Sequence, residues 1–265
     1  MKSIFDIENE INIQEEFEKI VKVFFKFECV KVIGGIRVSI MEYFNVKVFR
    51  EWKYRHTMTS IFKYLSFIGV TEDVVFGREK ITEEVFLRFI EFILNMLYSC
   101  KSKIPIVADK KRFDITIKNI DTILEEKGYD VEELEDKVVL VKRSADIDSV
   151  LKVTPDNISK VLLEYNELRV EKDIQVKKQL LKQIDLYLEE FVKVKDYDKE
   201  LDQTIGMIVN KMGINHPIKE EPYLSFSEDE LLEWYDKCFE LMIHAIRFRR
   251  VKEIKEERKK LINNK

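Results

Sequence analysis

Glycine, proline, cysteine and histidine are all scarce in this sequence, and each scarcity argues against a class of protein. Among 265 residues there are 7 glycines and 4 prolines, which disfavours a turn-rich all-β fold and favours helices. The three cysteines, Cys29, Cys100 and Cys238, are far apart and odd in number, so no disulfide framework is expected and a reducing, cytoplasmic compartment is predicted. Three histidines leave few candidates for general acid–base catalysis.

Long apolar runs are also missing. The most apolar stretch, residues 85–98, is interrupted by Arg88, Glu91 and Asn95 and is too short to span a bilayer. Acidic residues stand near the N-terminus where a secretory signal has its apolar run. We therefore predict a soluble cytoplasmic protein with no membrane partner.

The sequence shows no motif for a metal or a cofactor. No cysteine and histidine spacing typical of a metal site is present. Gly34 and Gly35 lack the following Lys-Ser or Lys-Thr of a phosphate-binding loop, so they are interpreted as a loop between helices. The net charge of −4 argues against a protein whose whole surface binds nucleic acid, although 46 lysines and arginines allow a local basic patch.

The apolar spacing predicts a mainly α fold in two domains. Apolar residues recur every three or four positions in most segments, while the Val138 to Val141 run after Gly128 has β preference. We predict an N-terminal helical domain over residues 1–143 that ends in a small β-hairpin near residues 129–142. Residues 144–154 are interpreted as a linker, and residues 155–265 as an antiparallel four-helix bundle.

The last bundle helix has the clearest start signal in the chain. Ser227 and Glu230 form a capping-box pattern, and an apolar stripe follows as far as Ile246. After Arg247 charge covers most faces. The helix is therefore predicted to bury its first half and to extend its second half into water, where it can bind a second copy or another protein.

Residues 45–67, predicted to be mostly helical up to Gly69, are dense in aromatic and basic residues. Stacking rings and cations on one surface can bind a nucleic acid, and Trp52, Lys53 and Arg55 are the candidate residues. The alternative is a half-buried helix whose cations lie over core aromatics.

A helix followed by a hairpin is also the order of a winged helix. Lys110, Lys111, Arg112 and Lys118 would then face DNA. The wing sequence EELED repels phosphates and argues against this alternative.

His216 is the main catalytic candidate. It lies in the connection MGINHPIKEEPYLSF, and connections on rigid scaffolds often hold functional residues. Lys211 is the nearest cation in sequence and its predicted partner in acid–base chemistry, whereas an exposed histidine without a role is the alternative. His244 is interpreted as structural. Arg50 and His56, with five residues between them, are a reserve pair.

The C-terminal half carries a family resemblance in LLEYNELRVEKDIQVKKQLLKQIDLYLEE, GINHP and LLEWYDKCFELMIHAI. These segments resemble small bacterial proteins associated with abortive infection and phage defence, with a HEPN-like helical half. The resemblance implies a cytoplasmic defence protein that acts on or senses RNA and, if it is an enzyme, a metal-independent ribonuclease. HEPN ribonucleases carry an arginine a few residues before a histidine, which is the spacing of Arg50 and His56. In GINHP the arginine that the group places beside the histidine is missing.

Two alternatives to this function remain open. One is a non-catalytic helical interaction or oligomerisation module, and the other is a winged-helix DNA-binding regulator.

Overall fold

A computed structural model describes residues 11–25, 30–31, 37–100, 110–134, 136–192, 198–215 and 226–263. The chain divides into two compact units, Met1–Leu140 and Val141–Lys265. Helices dominate both units, and a two-stranded hairpin lies at about residues 129–142, so the predicted mainly α fold class is confirmed. None of the described helices is long and apolar enough to cross a membrane.

The first unit is a set of helices with two small antiparallel strand pairs. Its described elements, in chain order, are α1 (Ile13–Phe24), β1 (Val30–Lys31), β2 (Arg37–Val38), α2 (Ile40–Lys47), a 3-10 turn (Lys53–Arg55), α3 (Ile61–Phe67), α4 (Glu72–Val75), α5 (Glu83–Cys100), α6 (Lys110–Glu126), β3 (Tyr129–Leu134) and β4 (Lys137–Lys142).

Helix α5 forms the centre of the first core. Its side chains Phe86, Phe89, Ile90 and Ile93 are all at most 1% exposed, which explains why its apolar residues cover more than one face. Phe17 of α1 meets Phe89 edge to face with a centroid distance of 5.2 Å. Thr82 caps the start of α5, because the Val85 amide donates to Thr82 Oγ1 at 3.3 Å.

The polar residues that interrupt α5 attach the hairpin to the helix. The Asn95 side chain exchanges two hydrogen bonds with the backbone of Val138, at 2.6 and 2.9 Å. The Leu140 amide donates to Glu91 Oε2 at 2.9 Å. These bonds satisfy backbone groups of β4 that would otherwise be buried without partners. Glu91 and Asn95 therefore serve the packing of the fold.

Residues 45–67, predicted to be mostly helical up to Gly69, are divided between two helices and a 3-10 turn. Helix α2 ends at Lys47, a 3-10 turn covers Lys53–Arg55, and α3 begins only at Ile61. The 3-10 turn ends at His56, whose φ of 53° is incompatible with a continuing helix. Ser60 then caps α3 by accepting a hydrogen bond from the Lys63 amide at 3.4 Å.

The expected loop around Gly34 and Gly35 does not join two helices directly. Both glycines lie outside the described residues. On either side of them, Val30 pairs with Val38 and Lys31 with Arg37 in an antiparallel register. The flanks of this segment are therefore a short strand pair.

Among the described glycines of the first unit, Gly69 leaves the least room for a side chain. Its φ is +96°, and a Cβ placed there would lie 2.7 Å from Cγ2 of Val85. Gly69→Ala therefore combines left-handed strain with overpacking, and we expect it to lower the free energy of unfolding by about 3 kcal/mol. Urea unfolding of the purified protein measures the change.

Gly77→Ala is the matched control for Gly69→Ala. Gly77 also has positive φ, +72°, but nothing lies within 4 Å of an added Cβ. Its substitution should lower the free energy of unfolding by about 1 kcal/mol, from backbone strain alone. Equal losses in the two variants would show that Val85 does not restrict Gly69.

The second unit contains five described helices and a 3-10 turn, which are α7 (Ala145–Leu151), α8 (Asp156–Tyr165), the 3-10 turn (Leu168–Val170), α9 (Ile174–Val192), α10 (Lys199–Lys211) and α11 (Glu228–Asn263). The four helices predicted for the bundle are α8 to α11. Helix α9 packs against α8 and α11, and α11 packs against α7, α9 and α10.

The interpretation of residues 144–154 as a linker is wrong for α7. Ser144 accepts a hydrogen bond from the Ile147 amide at 3.3 Å and caps this helix. Ile147 and Val150 are buried in the core of the second unit. The Ser144 cap and the apolar pair Ile147 and Val150 are sufficient to form one short helix, and this helix packs on the larger α11.

Helix α11 begins where the capping box places it. The Ser227 amide donates to Glu230 Oε2 at 2.8 Å, and the Glu230 amide donates to Ser227 Oγ at 3.3 Å. Tyr235 is fully buried, and its hydroxyl donates to the Met212 carbonyl at 3.2 Å. From Ile254 to Ile262 every side chain is exposed. The predicted division of this helix into a buried half and an exposed half is confirmed.

Lys177, the one break in the apolar stripe of α9, is buried in an ion pair. Its side chain is 5% exposed, and Nζ lies 2.5 Å from Oδ1 of Asp236 on α11. The Tyr165 hydroxyl donates to the same oxygen at 3.0 Å, and Lys177 Nζ lies 4.9 Å from the Tyr165 ring centroid. The Tyr165 ring stacks on Phe239 at 4.1 Å. A lysine at this core position is thus paired on α11 and covered by an aromatic ring.

Candidate functional site

The aromatic residues of the segment 45–67 form a cluster with α5. The Trp52 ring lies 5.2 Å from Tyr64 and 5.8 Å from Phe92, both in edge-to-face geometry. Phe49 lies 6.0 Å from Trp52. Ring pairs at these distances and angles stabilise a core beyond the area they bury. This packing leaves Trp52 only 7% exposed, so little of its ring is open to a stacking base.

A cavity of about 330 Å³ opens beside this cluster. We call it the Trp52 cavity, and its walls are formed by Lys47, Val48, Glu51, Trp52, Lys53, Tyr54, Tyr98, Ser99 and Asp136. Its volume is at the lower end of the range of small-molecule sites, about 300 to 1,000 Å³. The walls combine aromatic rings with two lysines and two carboxylates, so the cavity is close to neutral overall.

Asp136, between β3 and β4, links the hairpin to this segment. The Tyr54 hydroxyl and Lys53 Nζ both donate to its carboxylate. The hydrogen bond from Lys53 and then the one from Tyr54 lower the pKa of Asp136 below its ordinary value. Lys137 Nζ also lies 5.7 Å from the Tyr54 ring centroid. Tyr54 is therefore held in place on one edge of the cavity.

The indole nitrogen of Trp52 is a buried donor without an acceptor. Among the described residues no atom accepts a hydrogen bond from Trp52 Nε1, and the atom is closed to solvent. An unsatisfied buried donor disfavours the folded state by about 1 to 3 kcal/mol. Such a group in a cavity wall is a candidate contact for a ligand acceptor.

The other predicted residues of this segment lie outside the cavity walls. The Arg55 guanidinium donates to the Met58 carbonyl at 2.7 Å and so closes its own turn. Arg50 is exposed and makes no ion pair within the described chain. The His56 ring lies 5.9 Å from the Phe67 ring. The cavity therefore brings together Trp52 and Lys53, but not Arg50, Arg55 or His56.

The main catalytic candidate, His216, lies outside the described residues. The structure does place the residues that lead to it. Lys211 is the exposed last residue of α10, Gly213 turns the chain with φ +66°, and Ile214 is buried. The Asn215 side chain then donates to Asp185 Oδ2 on α9 at 2.7 Å. The start of the connection is thus fixed to the core of the second unit.

Asp185 is a buried carboxyl group whose surroundings disfavour its charged form. Burial, together with the nearby carboxylates Glu189 and Asp202, raises its pKa, and the hydrogen bond from Asn215 only partly opposes this. Burial and the Asp185 charge also raise the pKa of the Cys238 thiol to about 12, so this cysteine is not a nucleophile at neutral pH. A perturbed acid next to a predicted catalytic loop is typical of functional sites.

Asp185→Asn should stabilise the protein at neutral pH. A carboxyl group whose folded pKa is raised favours folding only below its unfolded pKa, and this contribution is lost as the pH rises through the folded pKa. Asparagine retains an oxygen that can accept from Asn215 but carries no charge. We expect a higher melting temperature than wild type at pH 7 and no difference near pH 4. A variant less stable than wild type at pH 7 would contradict this account.

The cavity also contains residues that sequence patterns do not reveal. Asp136 meets Lys53 across 83 positions of sequence, and Tyr98 and Ser99 come from the end of α5. No local spacing relates these segments. The raised pKa of Asp185 likewise depends on its burial and on Asp202, which lies on the neighbouring helix α10. The aromatic density of residues 45–67 was the only signal that pointed to this region.

Within the described ranges, no three side chains of His, Cys, Asp or Glu are arranged to hold a metal ion. No family model, no curated protein and no solved structure matches this chain.

Proposed function

We propose that this protein binds single-stranded RNA by taking one unstacked base into the Trp52 cavity, and that it acts in antiviral defence of the abortive-infection type. The observation that supports RNA binding is a cavity with aromatic walls and a buried indole N–H that lacks an acceptor. The role in defence rests on the resemblance of the C-terminal half.

The cavity walls suit a base better than a phosphate. Tyr54 and Tyr98 place half-buried aromatic rings in the walls, and stacking on such rings is sequence-tolerant because every base has a π face. The Trp52 N–H can donate to a ring nitrogen or carbonyl of the base, and Glu51 can accept from an exocyclic amine. The charges of the two lysines and two carboxylates cancel, so a neutral ring is preferred inside. Arg50, exposed and next to Glu51 in sequence, is available for a backbone phosphate.

Binding requires a small movement of the wall. Trp52 Nε1 is closed to solvent, so a ligand reaches it only when a neighbouring side chain moves. Lys53 and Asp136 form an ion pair whose side chains are 76% and 39% exposed. Exposed pairs of this kind contribute little stability, so opening it opposes binding only weakly. A movement beside Trp52 should also change its fluorescence.

Fluorescence titration tests this directly. The chain has two tryptophans, Trp52 and Trp234, and a Trp234→Phe variant makes Trp52 the only emitter. We expect a saturable change in emission on addition of a 12-nucleotide single-stranded RNA, and a much weaker response to duplex RNA, whose bases are stacked. A DNA strand of the same sequence tests whether the 2′-hydroxyl contributes.

A gel-shift assay with the same RNA provides the second readout. If the RNA produces neither an emission change nor a shift at low salt, the protein does not bind single-stranded RNA. A gel shift without an emission change would place binding elsewhere and overturn the assignment of the cavity.

We further propose, from the sequence and the resemblance, that the protein cleaves RNA and that His216 and Lys211 carry this activity. The hydrogen bond between Asn215 and Asp185 supports this, because it holds the chain immediately before His216. Purified protein should then degrade RNA in the presence of EDTA, and His216→Ala should abolish both cleavage and toxicity on overexpression. Undiminished cleavage by His216→Ala would remove His216 from the site, while RNA binding would remain as a separate property.

A further inference from the structure

The second half of α11 has no covering element among the described residues. Ile254 is 49% exposed, Leu261 is 72% exposed and Ile262 is 60% exposed. An isolated helix of about 12 residues is only marginally stable in water. Exposed aliphatic residues along one helix are typical of a surface that binds a partner. We call residues 251–262 the distal segment of α11.

The exposed aliphatic residues share one face with cations. At 100° per residue, about a third of the helix circumference holds Val251, Ile254, Lys255, Arg258, Leu261 and Ile262. The acids of the segment, Glu253, Glu256 and Glu257, lie on the remaining surface. The apolar face is therefore positively charged.

The ion pairs within α11 do not neutralise the positive charge of its apolar face. Glu253 pairs with Arg249 at 2.7 Å, and Glu256 pairs with Lys259 at 2.6 Å. Lys255 and Arg258 make no ion pair with any described residue. Over residues 247–263 there are eight basic and three acidic residues, in a chain with net charge −4. A partner for this face should be apolar at its centre and acidic at its rim.

The first unit carries an acidic groove that also contains a partly exposed isoleucine, Ile11. It lies between α1 and α6, has a volume of about 380 Å³, and is lined by Ile11, Asn12, Glu15, Glu16, Asn119, Thr122, Ile123 and Glu126. Three of these residues are glutamates and none is a cation. Glu16 pairs with Lys19 at 2.6 Å, whereas Glu126 makes no ion pair in the described chain. We call this the acidic groove.

We propose that the distal segment of α11 binds in the acidic groove of a second copy of this chain. Lys255 and Arg258 then face the glutamates of the groove, and the aliphatic residues of the face cover the partly exposed Ile11. This is the helix-in-groove mode of recognition, in which apolar anchors one turn apart provide affinity and rim charges provide orientation. The interaction goes beyond RNA binding and does not depend on it.

Reciprocal exchange of the two helices gives a closed dimer. Each copy offers one helix and one groove, so two copies satisfy both surfaces by a two-fold arrangement. A one-way contact would instead leave one helix and one groove free and would extend into a chain of molecules. The expected species is therefore a dimer that weakens as salt rises.

Paired charge-reversal variants test the dimer. The helix variant is Lys255→Glu with Arg258→Glu, and the groove variant is Glu15→Lys with Glu126→Lys, which changes the charge of the groove lining from −3 to +1. Sedimentation of the full-length chain should show a dimer for wild type and an at least tenfold higher dissociation constant for each variant alone. When the two variants are mixed, an acidic helix meets a basic groove and a basic helix meets an acidic groove. A heterodimer should then form while both homodimers are disfavoured.

The controls separate this interaction from other effects of charge. Lys259→Glu with Lys260→Glu changes the net charge equally but lies away from the apolar face, and it should dimerise like wild type. Monomeric wild-type protein at micromolar concentration would overturn the proposal. So would a dimer that survives both variants, or variants that stay monomeric after mixing.

Discussion

Asp236→Ala is expected to lower the free energy of unfolding by about 3 kcal/mol. The change leaves the Lys177 ammonium, 5% exposed, without its partner 2.5 Å away. It also removes the acceptor of the Tyr165 hydroxyl. Asp236 itself is 52% exposed, so water screens part of the pair, and the loss should fall at the lower end for a broken buried pair. Denaturant unfolding measures the effect.

Replacing Lys177 gives the matched comparison. Lys177→Met removes the buried charge and fills a similar volume beside Tyr165, and Asp236 can then be solvated. We expect this variant to lie within about 1 kcal/mol of wild type. In the Lys177→Met background Asp236→Ala should have little further effect. If Asp236→Ala remains equally harmful there, its loss comes from Tyr165 and not from the unpaired lysine.

Tyr54→Ala should weaken RNA binding at least tenfold if a base stacks in the Trp52 cavity. Loss of one base–aromatic stack reduces affinity by about 1 to 3 kcal/mol. Tyr54 lines the cavity, and its hydroxyl donates to Asp136. Titration of each variant in the Trp234→Phe background measures the dissociation constant.

Tyr54→Phe separates stacking from support of the hairpin. It keeps the ring and removes only the hydroxyl that donates to Asp136, so its affinity should stay within about threefold of wild type on a stacking mechanism. Melting temperatures of both variants show whether they fold. Equal weakening in the two folded variants would assign the role to the hydroxyl and Asp136.

Local signals in the sequence located most helices. The caps at Thr82 and Ser227 form as their residue patterns predict, and α6 is followed by Gly128 with φ +73°. These features depend on residues three or four positions apart, so a sequence pattern contains all of their geometry. The same applies to the hairpin, whose valine-rich strand has high β propensity.

Signals that compete locally produced the errors. Residues 45–67 have helical spacing, but His56 adopts positive φ and Ser60 starts a new helix. Residues 144–154 look polar enough for a linker, yet Ile147 and Val150 are sufficient to bury α7. Tertiary packing decided the second case, because a short amphipathic helix is stable only where a larger surface covers it.

The sequence by itself determined the mainly α fold, the start of α11 and the change of that helix from a buried stripe to a charged segment, because each depends on the periodicity of one helix. Only the tertiary structure decided what the exceptions to periodicity mean. Lys177 pairs with Asp236 on another helix, Asn95 binds the backbone of β4, and Asp136 meets Tyr54 from 82 positions away. Such contacts depend on how distant segments pack, and the spacing of residues along one segment does not encode that.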